Sequence, residues 1–176
     1  SISLQNLKNC INNDLANNYG NLCQRVFSFI KKNCSNKIPK VKKLSDSDNK
    51  LLNQLKNNIP KLIELMNKQE LNEFIKTVVG YSFDSNKYFN DSEPWSVKKK
   101  DPERMRVIIF TICEQIKNIS ILLNSIIPIA TNKVLETMNV KKENRSINQI
   151  NSLECFDHDK KLKELDILFN KIENDN

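Results

Sequence analysis

The chain has 176 residues, enough for one well-buried domain and too few to require a second. Two glycines and five prolines are too few to form the many turns of an all-β fold, so the composition favours helices. No apolar run approaches the roughly 18 residues of a membrane span, and the formal net charge of +7 makes a polyanionic partner plausible.

Charge is unevenly distributed along the chain. Residues 154–176 carry seven acidic and four basic side chains, a net of −3, so residues 1–153 carry +10. Basic clusters occupy residues 37–43, 98–106 and 141–145. A basic body with an acidic tail indicates a polyanion ligand, although any single charge run is more often a solvated surface.

The cysteines do not form a Cys-x-x-Cys pair, and the single histidine, His158, offers little to a metal site. We expect free thiols in a reducing cytoplasm and no bound metal. The N-terminus lacks the basic-then-apolar layout of a signal peptide. The five thiols are Cys10, Cys23, Cys34, Cys113 and Cys155.

The first part of the chain shows a helical period. Apolar residues from Leu4 to Phe29 step by three and four, which predicts one long amphipathic helix over about residues 3–34. After a basic loop, Ser45-Asp46-Ser47-Asp48 offers several N-caps for a second helix. Pro60 lies inside the second pattern and is expected to kink or split that helix.

Three further helices are predicted. One near residues 69–90 carries apolar side chains on a helical period. Asp101-Pro102-Glu103 combines an acceptor cap, a proline at the first helical position and an acid in the first turn, so a fourth helix begins there. A fifth spans about Ser125 to Met138. The predicted fold class is all-α, an antiparallel bundle of four to five helices.

The bundle is predicted to occupy residues 1–139. Residues 140–176 are polar and weakly patterned, which predicts a C-terminal tail with a short helix near Lys160 to Leu168. The acidic tail is expected to fold back on the body of the bundle or to pack on another domain.

A polar stripe runs along the first helix. Asn17, Asn21 and Arg25 are spaced i, i+4 and i+8 and therefore share one face. A planar amide and a guanidinium presented together suit base edges and phosphate oxygens. The alternative is a solvated surface without a ligand.

The only tryptophan, Trp95, follows Pro94 and precedes three lysines, Lys98, Lys99 and Lys100. A rigid proline presets the direction of the indole ring, and an aromatic ring beside cations can stack a base and bind its phosphates. Bases splayed from a single-stranded loop are the ligand that such a surface recognises. The alternative is that Trp95 caps the end of the bundle as a core residue.

These residues lie in segments that resemble a known family. D-L-A-N-N-Y-G-N-L-C-Q-R, residues 14–25, resembles the D-L-A-N-x-x-G-N-L-x-x-R motif of the anticodon-binding domain of methionyl-tRNA synthetases. N-K-Y-F-N-D-S-E-P-W, residues 86–95, is similar to the second motif of that family, N-x-Y-x5-P-W. Residues 126–135 and 168–173 resemble its I-M-P-x-x-A-x-K-I-L and L-F-P-R-I-E segments, so the resemblance covers nearly the whole chain.

The chain departs from the family pattern outside the two main motifs. Ser125 stands where a proline is common, and Asn170 and Lys171 replace Pro-Arg. Thr131 and Asn132 follow the pattern only loosely. These departures bear on the docking of the tail and leave the two motifs intact.

The resemblance implies an RNA-binding site. Asn21, Arg25 and Trp95 match the anticodon-reading positions of the family, with Asn17 and Pro94 as secondary candidates. It implies that Trp95 stacks on the first anticodon base, a cytosine, and that Asn21 and Arg25 contact the base edges or sugar-phosphate of the CAU triplet. Phosphate contacts are expected from the three lysines that follow: Lys98, Lys99 and Lys100.

The resemblance also implies the partners. The expected ligands are initiator and elongator methionine tRNAs, and the expected protein partner is the catalytic domain of the same synthetase. That half of the family carries H-I-G-H-like and K-M-S-K-S-like motifs for ATP, with zinc a further option there, and neither motif occurs in this sequence. We expect no cofactor, no catalytic residue and no activity from this chain alone.

Two alternatives differ in kind. The first is the corresponding domain of a sister class I synthetase for valine, isoleucine, leucine or cysteine, against which the Pro-Trp motif argues. The second is a helical scaffold that binds a protein, with Trp95 as its anchor. Affinity for a small RNA hairpin separates the scaffold from both synthetase hypotheses.

Overall fold

The structure, a computed structural model, describes residue 9 and residues 11–165. The first helix is continuous through two geometries, a π-helical segment (Ile11–Gly20) and α1 (Asn21–Asn33). Within the π-helical segment Leu15 and Tyr19, four residues apart, are both fully buried. Residues 3–8 and 10 of the predicted helix lie outside the described residues.

The second predicted helix is split, as Pro60 predicted. α2 (Asp46–Asn57) and α3 (Ile59–Asn67) are separate, and the proline occupies the first turn of α3. A capping box begins α2, because the Asp48 backbone N–H donates to Ser45 Oγ at 3.3 Å and the Ser45 N–H donates to Asp48 Oδ2 at 2.8 Å.

The remaining helices also confirm the predicted fold class. α4 (Leu71–Ser92) ends at Glu93, whose left-handed backbone (φ 46°, ψ 58°) turns the chain into the single-turn α5 (Pro94–Val97). α6 (Pro102–Leu123) begins at Asp101, whose carboxylate accepts the Arg104 backbone N–H at 3.0 Å. α7 (Pro128–Thr137) begins three residues later than predicted.

α6 is the centre of the bundle. Its side chains are buried on all sides from Val107 to Leu123, and α1, α2, α4, α5 and α7 all pack against it. Hydroxyls within α6 are satisfied locally, since Thr111 and Ser120 donate to carbonyls one turn earlier. Among the described residues, no helix is both long and apolar enough to cross a bilayer.

Residues 140–165 lie on the bundle and contribute Ile150, Phe156 and Leu162 to its core. The helix predicted near Lys160 to Leu168 is absent over 160–165. The backbone N–H of Leu162 instead donates to Asn36 O at 2.8 Å and that of Lys163 to Thr137 O at 3.0 Å, so distant segments take the donors that a helix would use. Residues 166–168 lie outside the described residues.

Candidate nucleic-acid interface

The segments that carry the two sequence motifs lie side by side. The first helix packs along α4, and Asn86 Nδ2 of α4 donates to the backbone carbonyl of Asn18 at 3.2 Å. This contact joins the Asn-x-Tyr residues of the second motif to the Asn-rich turn of the first. The tertiary structure therefore brings the two motifs to one surface.

Arg25 is held in a fixed position on this surface. Its guanidinium lies over the Phe89 ring, with Cζ 4.8 Å from the ring centroid. Nη1 donates to Asn86 Oδ1 at 3.0 Å, and Nη2 donates to Asn90 Oδ1 at 2.5 Å. A guanidinium that is oriented before its ligand arrives loses little conformational entropy on binding.

Trp95 packs against the same phenylalanine and stays 40% exposed. The Trp95 and Phe89 ring centroids are 5.5 Å apart at an interplanar angle of 68°, and Phe89 packs edge-on against Phe29 at 6.0 Å. An edge-to-face contact steadies the indole without burying it. Pro94 is buried at the start of α5, where its fixed φ directs the ring that follows.

Asn17 and Asn21 are exposed on the first helix, N-terminal to Arg25. Asn21 begins α1 and lies one turn before Arg25, so the two residues share one face of the helix. Asn17 lies four residues earlier, within the π-helical segment. The predicted polar stripe thus leads along the helix to the Arg25 and Trp95 contacts.

The three lysines after Trp95 differ in their surroundings. Lys98 is half-buried, and its Nζ donates to Asn33 Oδ1 at 2.6 Å, which ties α5 to the end of α1. Lys99 and Lys100 are exposed. The two outer ammonium groups therefore reach solvent more freely than Lys98.

Sequence reasoning missed three residues of this surface. Phe89 supports both Arg25 and Trp95, while Asn86 and Asn90 orient the guanidinium. Asn86 stood inside the quoted motif, which was a usable signal. Phe89 and Asn90 stood in the same quoted segment, but at positions that the motif leaves variable.

A buried carboxylate anchors the end of α4 that carries these residues. Asp48 is fully buried; it accepts two hydrogen bonds from Arg104, at 2.8 and 3.0 Å, and one from the Tyr88 hydroxyl. Burial alone would raise the pKa of Asp48, but the bonds from Arg104, Tyr88 and Ser45 outweigh it and the pKa is lowered. The ion pair holds α2, α4 and α6 together below the interface.

A basic groove of about 490 Å³ lies near the end of α1. Lys37, Lys40 and Arg106 are among its lining residues, and His158 lines it with Nδ1 2.9 Å from the Ile38 carbonyl oxygen. Asn33, the partner of Lys98, also borders this groove. Positive charge therefore continues from Trp95 toward the C-terminal segment.

The arrangement suits non-covalent recognition. It offers an exposed indole, a fixed guanidinium, amides and ammonium groups, which are the groups that stack bases and bind phosphates. In the described part of the chain, His, Cys, Asp and Glu do not gather into a group of three or more that could hold a metal. Four cysteines there are free thiols: Cys23, Cys34, Cys113 and Cys155.

The sequence matches a known family and its members. The family described as the anticodon binding domain of methionyl tRNA ligase matches residues 38–176, which include the second motif and begin after the first. Methionine–tRNA ligases of Rickettsia felis and Rhizobium meliloti are 35% identical over 143 residues and 32% identical over 145 residues. These alignments cover 80% and 82% of this chain, which spans only 28% of each relative.

Solved structures share the fold. The apo methionyl-tRNA synthetase of Mycobacterium tuberculosis superposes with a TM-score of 0.82 at 24% identity, over 96% of this chain and 34% of that one. The same enzyme bound by methionyl-adenylate gives a TM-score of 0.80, over 90% of this chain and 32% of that one. The helical bundle described above is thus a fold already known in that enzyme.

Proposed function

Because the chain belongs to the family of anticodon-binding domains of methionyl tRNA ligases, we propose that it binds the CAU anticodon loop of methionine tRNAs, both initiator and elongator. The bound loop would hold the tRNA while a catalytic domain of the same ligase charges the distant 3′ end. ATP, and zinc where the ligase holds one, belong to that catalytic domain in this proposal.

The observation that carries the proposal is the shared support of Arg25 and Trp95. Both contact Phe89, so one ligand could contact a guanidinium and an exposed indole that come from two different helices. If Trp95 only filled the core, its ring would be buried, but 40% of it is exposed. Two fixed groups of this kind fit an unpaired base and its neighbours.

Each residue has a distinct role in the proposal. Trp95 stacks on the first base of the triplet, a cytosine, and Arg25 and Asn21 contact base edges or sugar-phosphate. Asn17 extends the polar stripe, and Pro94 directs the indole from beneath. Lys99 and Lys100 bind phosphates, and Lys98 adds charge while it holds α5 to α1.

General magnitudes show which contacts give specificity. Stacking is worth about 1–3 kcal/mol per base, and a well-made bidentate contact gives about 1–3 kcal/mol of discrimination between bases. Phosphate contacts add affinity that is blind to sequence and falls with added salt. Specificity for the triplet therefore comes from Trp95, Arg25 and Asn21, and the lysines strengthen binding to any RNA.

The test is a titration of the chain with a hairpin that carries a CAU loop. Trp95 is the only tryptophan, so its fluorescence reports this site alone. We expect quenching that is strongly weakened when the first loop base is changed from C to U. Equal quenching by both hairpins would leave only sequence-blind phosphate binding, and no response with either would favour a protein-binding scaffold.

A further inference from the structure

Phe83 is an exposed aromatic residue that the proposed function leaves unused. It is 62% exposed, the largest exposed fraction of any large apolar side chain among the described residues. Phe83 lies on α4, three residues before Asn86 and seven before Asn90. At 3.6 residues per turn these three side chains fall within a sector of about 60°. The ring is therefore on the flank of α4 that presents its amides to Arg25.

Gly80 leaves open space on α4, one turn before Phe83. It lies inside this helix, where glycine is unfavourable. Its φ is not positive, and a Cβ at this position would meet no heavy atom of the described residues within 4 Å. Within the part of the chain that the structure describes, neither the backbone nor the packing requires a glycine here. A partner that approaches the helix backbone would make use of the missing side chain.

Cations lie close to the ring along α4. Lys76 and Lys87 are exposed and fall within about 40° of Phe83 around the helix axis. Lys87 pairs with Asp91 at 2.6 Å, and both side chains remain largely exposed. Three acidic residues of the helix lie about 80–100° from Phe83 around the axis, on the same side as the lysines: Glu73, Asp84 and Asp91.

We propose that Phe83 is a second stacking platform, for another unpaired base of the RNA loop that Trp95 reads. Gly80 admits the edge of that nucleotide, and Lys76 and Lys87 contact its phosphates. This inference rests on the proposed function and adds a subsite to it. RNA fits better than a protein partner because a single ring among lysines and amides lacks the contiguous apolar centre of a protein interface.

The helix geometry places Phe83 well before the end of α4. Nine residues separate Phe83 from Ser92, the last residue of α4, which corresponds to about 14 Å along the axis. Stacked bases in one strand are about 3.4 Å apart. The length of about 14 Å equals about four stacking steps, so a base on Phe83 is not the stacked neighbour of a base bound at the end of α4.

The inference is tested with the CAU hairpin and a set of variants, with Trp95 fluorescence as the readout. Phe83→Ala removes the platform, Phe83→Tyr keeps it, and Ile129→Ala truncates another exposed apolar side chain, 51% exposed on α7. A second set of hairpins carries one abasic position at a time in the loop. Gly80→Ala fills the open space on α4.

We expect Phe83→Ala to weaken binding by about 5- to 150-fold, as for the loss of one stacked base. Phe83→Tyr and Ile129→Ala should bind as the parent does. One abasic hairpin should bind the parent and Phe83→Ala equally, which identifies the base on Phe83. Gly80→Ala should raise the melting temperature and weaken binding, because alanine favours the helix and obstructs the nucleotide.

Two results would overturn the inference. If Phe83→Ala binds every hairpin as tightly as the parent while Trp95 still discriminates C from U, the proposed function stands and Phe83 serves another surface. If the hairpin leaves Trp95 fluorescence of the parent unchanged, the proposed function and the Phe83 subsite fail together.

Discussion

Arg25 and Trp95 both pack against one phenylalanine, Phe89. The Arg25 guanidinium lies 4.8 Å from the centroid of the Phe89 ring, and the Trp95 ring lies 5.5 Å from the same centroid. Phe89 is itself 3% exposed and packs on Phe29, so the support is part of the core. The position of both proposed anticodon contacts therefore depends on a residue that is itself buried.

Substitution of Phe89 tests this dependence. Phe89→Leu keeps an apolar core residue but removes the ring beneath Arg25 and beside Trp95. We expect a shifted Trp95 emission maximum, faster quenching of Trp95 by acrylamide and weaker discrimination between C and U hairpins. Phe89→Ala should in addition cost about 3–5 kcal/mol of unfolding free energy. Unchanged emission and discrimination in a folded Phe89→Leu variant would show that Phe89 only fills the core.

The planar shape of the Arg25 side chain matters beyond its charge. Arg25→Lys keeps the cation but cannot donate to Asn86 and Asn90 while lying flat on Phe89. We expect a loss of about 1–3 kcal/mol in binding the CAU hairpin. The slope of affinity against salt should stay the same, because the number of cations is unchanged.

The affinity of Arg25→Lys for the CAU hairpin is compared with that of a matched variant. Arg106→Lys alters another exposed arginine, whose Nε lies 3.9 Å from Glu103 Oε2. It should bind the CAU hairpin as the parent does. An Arg25→Lys variant that also matches the parent would refute the role of the guanidinium plane.

The Asp48 and Arg104 pair stabilises the bundle beneath the interface. The carboxylate of Asp48 is fully buried and accepts bonds from Arg104 and Tyr88, so Asp48→Asn should lower the free energy of unfolding by about 1–3 kcal/mol at pH 7. Urea unfolding followed by circular dichroism measures the loss. Glu64→Gln, which removes an exposed ion pair with Lys68, should change it little.

The pH dependence of Asp48→Asn follows from the lowered pKa of Asp48. A carboxyl with a lowered folded pKa stabilises the protein above its unfolded pKa of about 3.9, and this contribution is lost as pH falls through the folded value. The difference between the parent and Asp48→Asn should therefore shrink below about pH 4. A constant difference across that range would argue against an ionised Asp48.

Lys117 fastens the C-terminal segment to α6. Its Nζ, fully buried, donates to Glu114 Oε2 and to the Gln149 carbonyl, both at 2.7 Å, and lies 3.6 Å from Cys155 Sγ. Lys117→Met leaves the Glu114 carboxylate buried without its cation, which should cost about 3–5 kcal/mol of unfolding free energy. Limited proteolysis should then cut within residues 149–165 faster than in the parent.

A double variant separates the ion pair from the packing of Lys117. Glu114→Gln added to Lys117→Met removes the uncompensated charge and should recover part of the lost stability. Burial raises the pKa of Glu114 although the Lys117 ammonium opposes it. Loss of the ammonium in Lys117→Met should raise this pKa further, and a raised carboxyl pKa gives stability that is lost as pH rises through it. Lys117→Met should therefore be closer to the parent at pH 5 than at pH 7. No recovery in the double variant would refute the charge explanation.

Much of the secondary structure followed from the sequence. The cap at Ser45, the start signal at Asp101 and the break at Pro60 are local features, because each depends on residues within one helical turn. The predicted helix near Lys160 failed over residues 160–165, since bonds to Asn36 and Thr137 competed for its backbone donors. Nothing in local propensity records such a long-range competitor.

By itself the sequence determined the all-α class and the boundaries set by local caps, and it singled out the arginine and the tryptophan that we propose for RNA binding. Only the tertiary structure decided that Arg25 and Trp95 share Phe89, that Lys98 is bonded to Asn33, and that Asp48 and Lys117 are buried with partners. Helix period and capping act between neighbours in the chain, whereas these contacts join residues that become neighbours only when the helices pack.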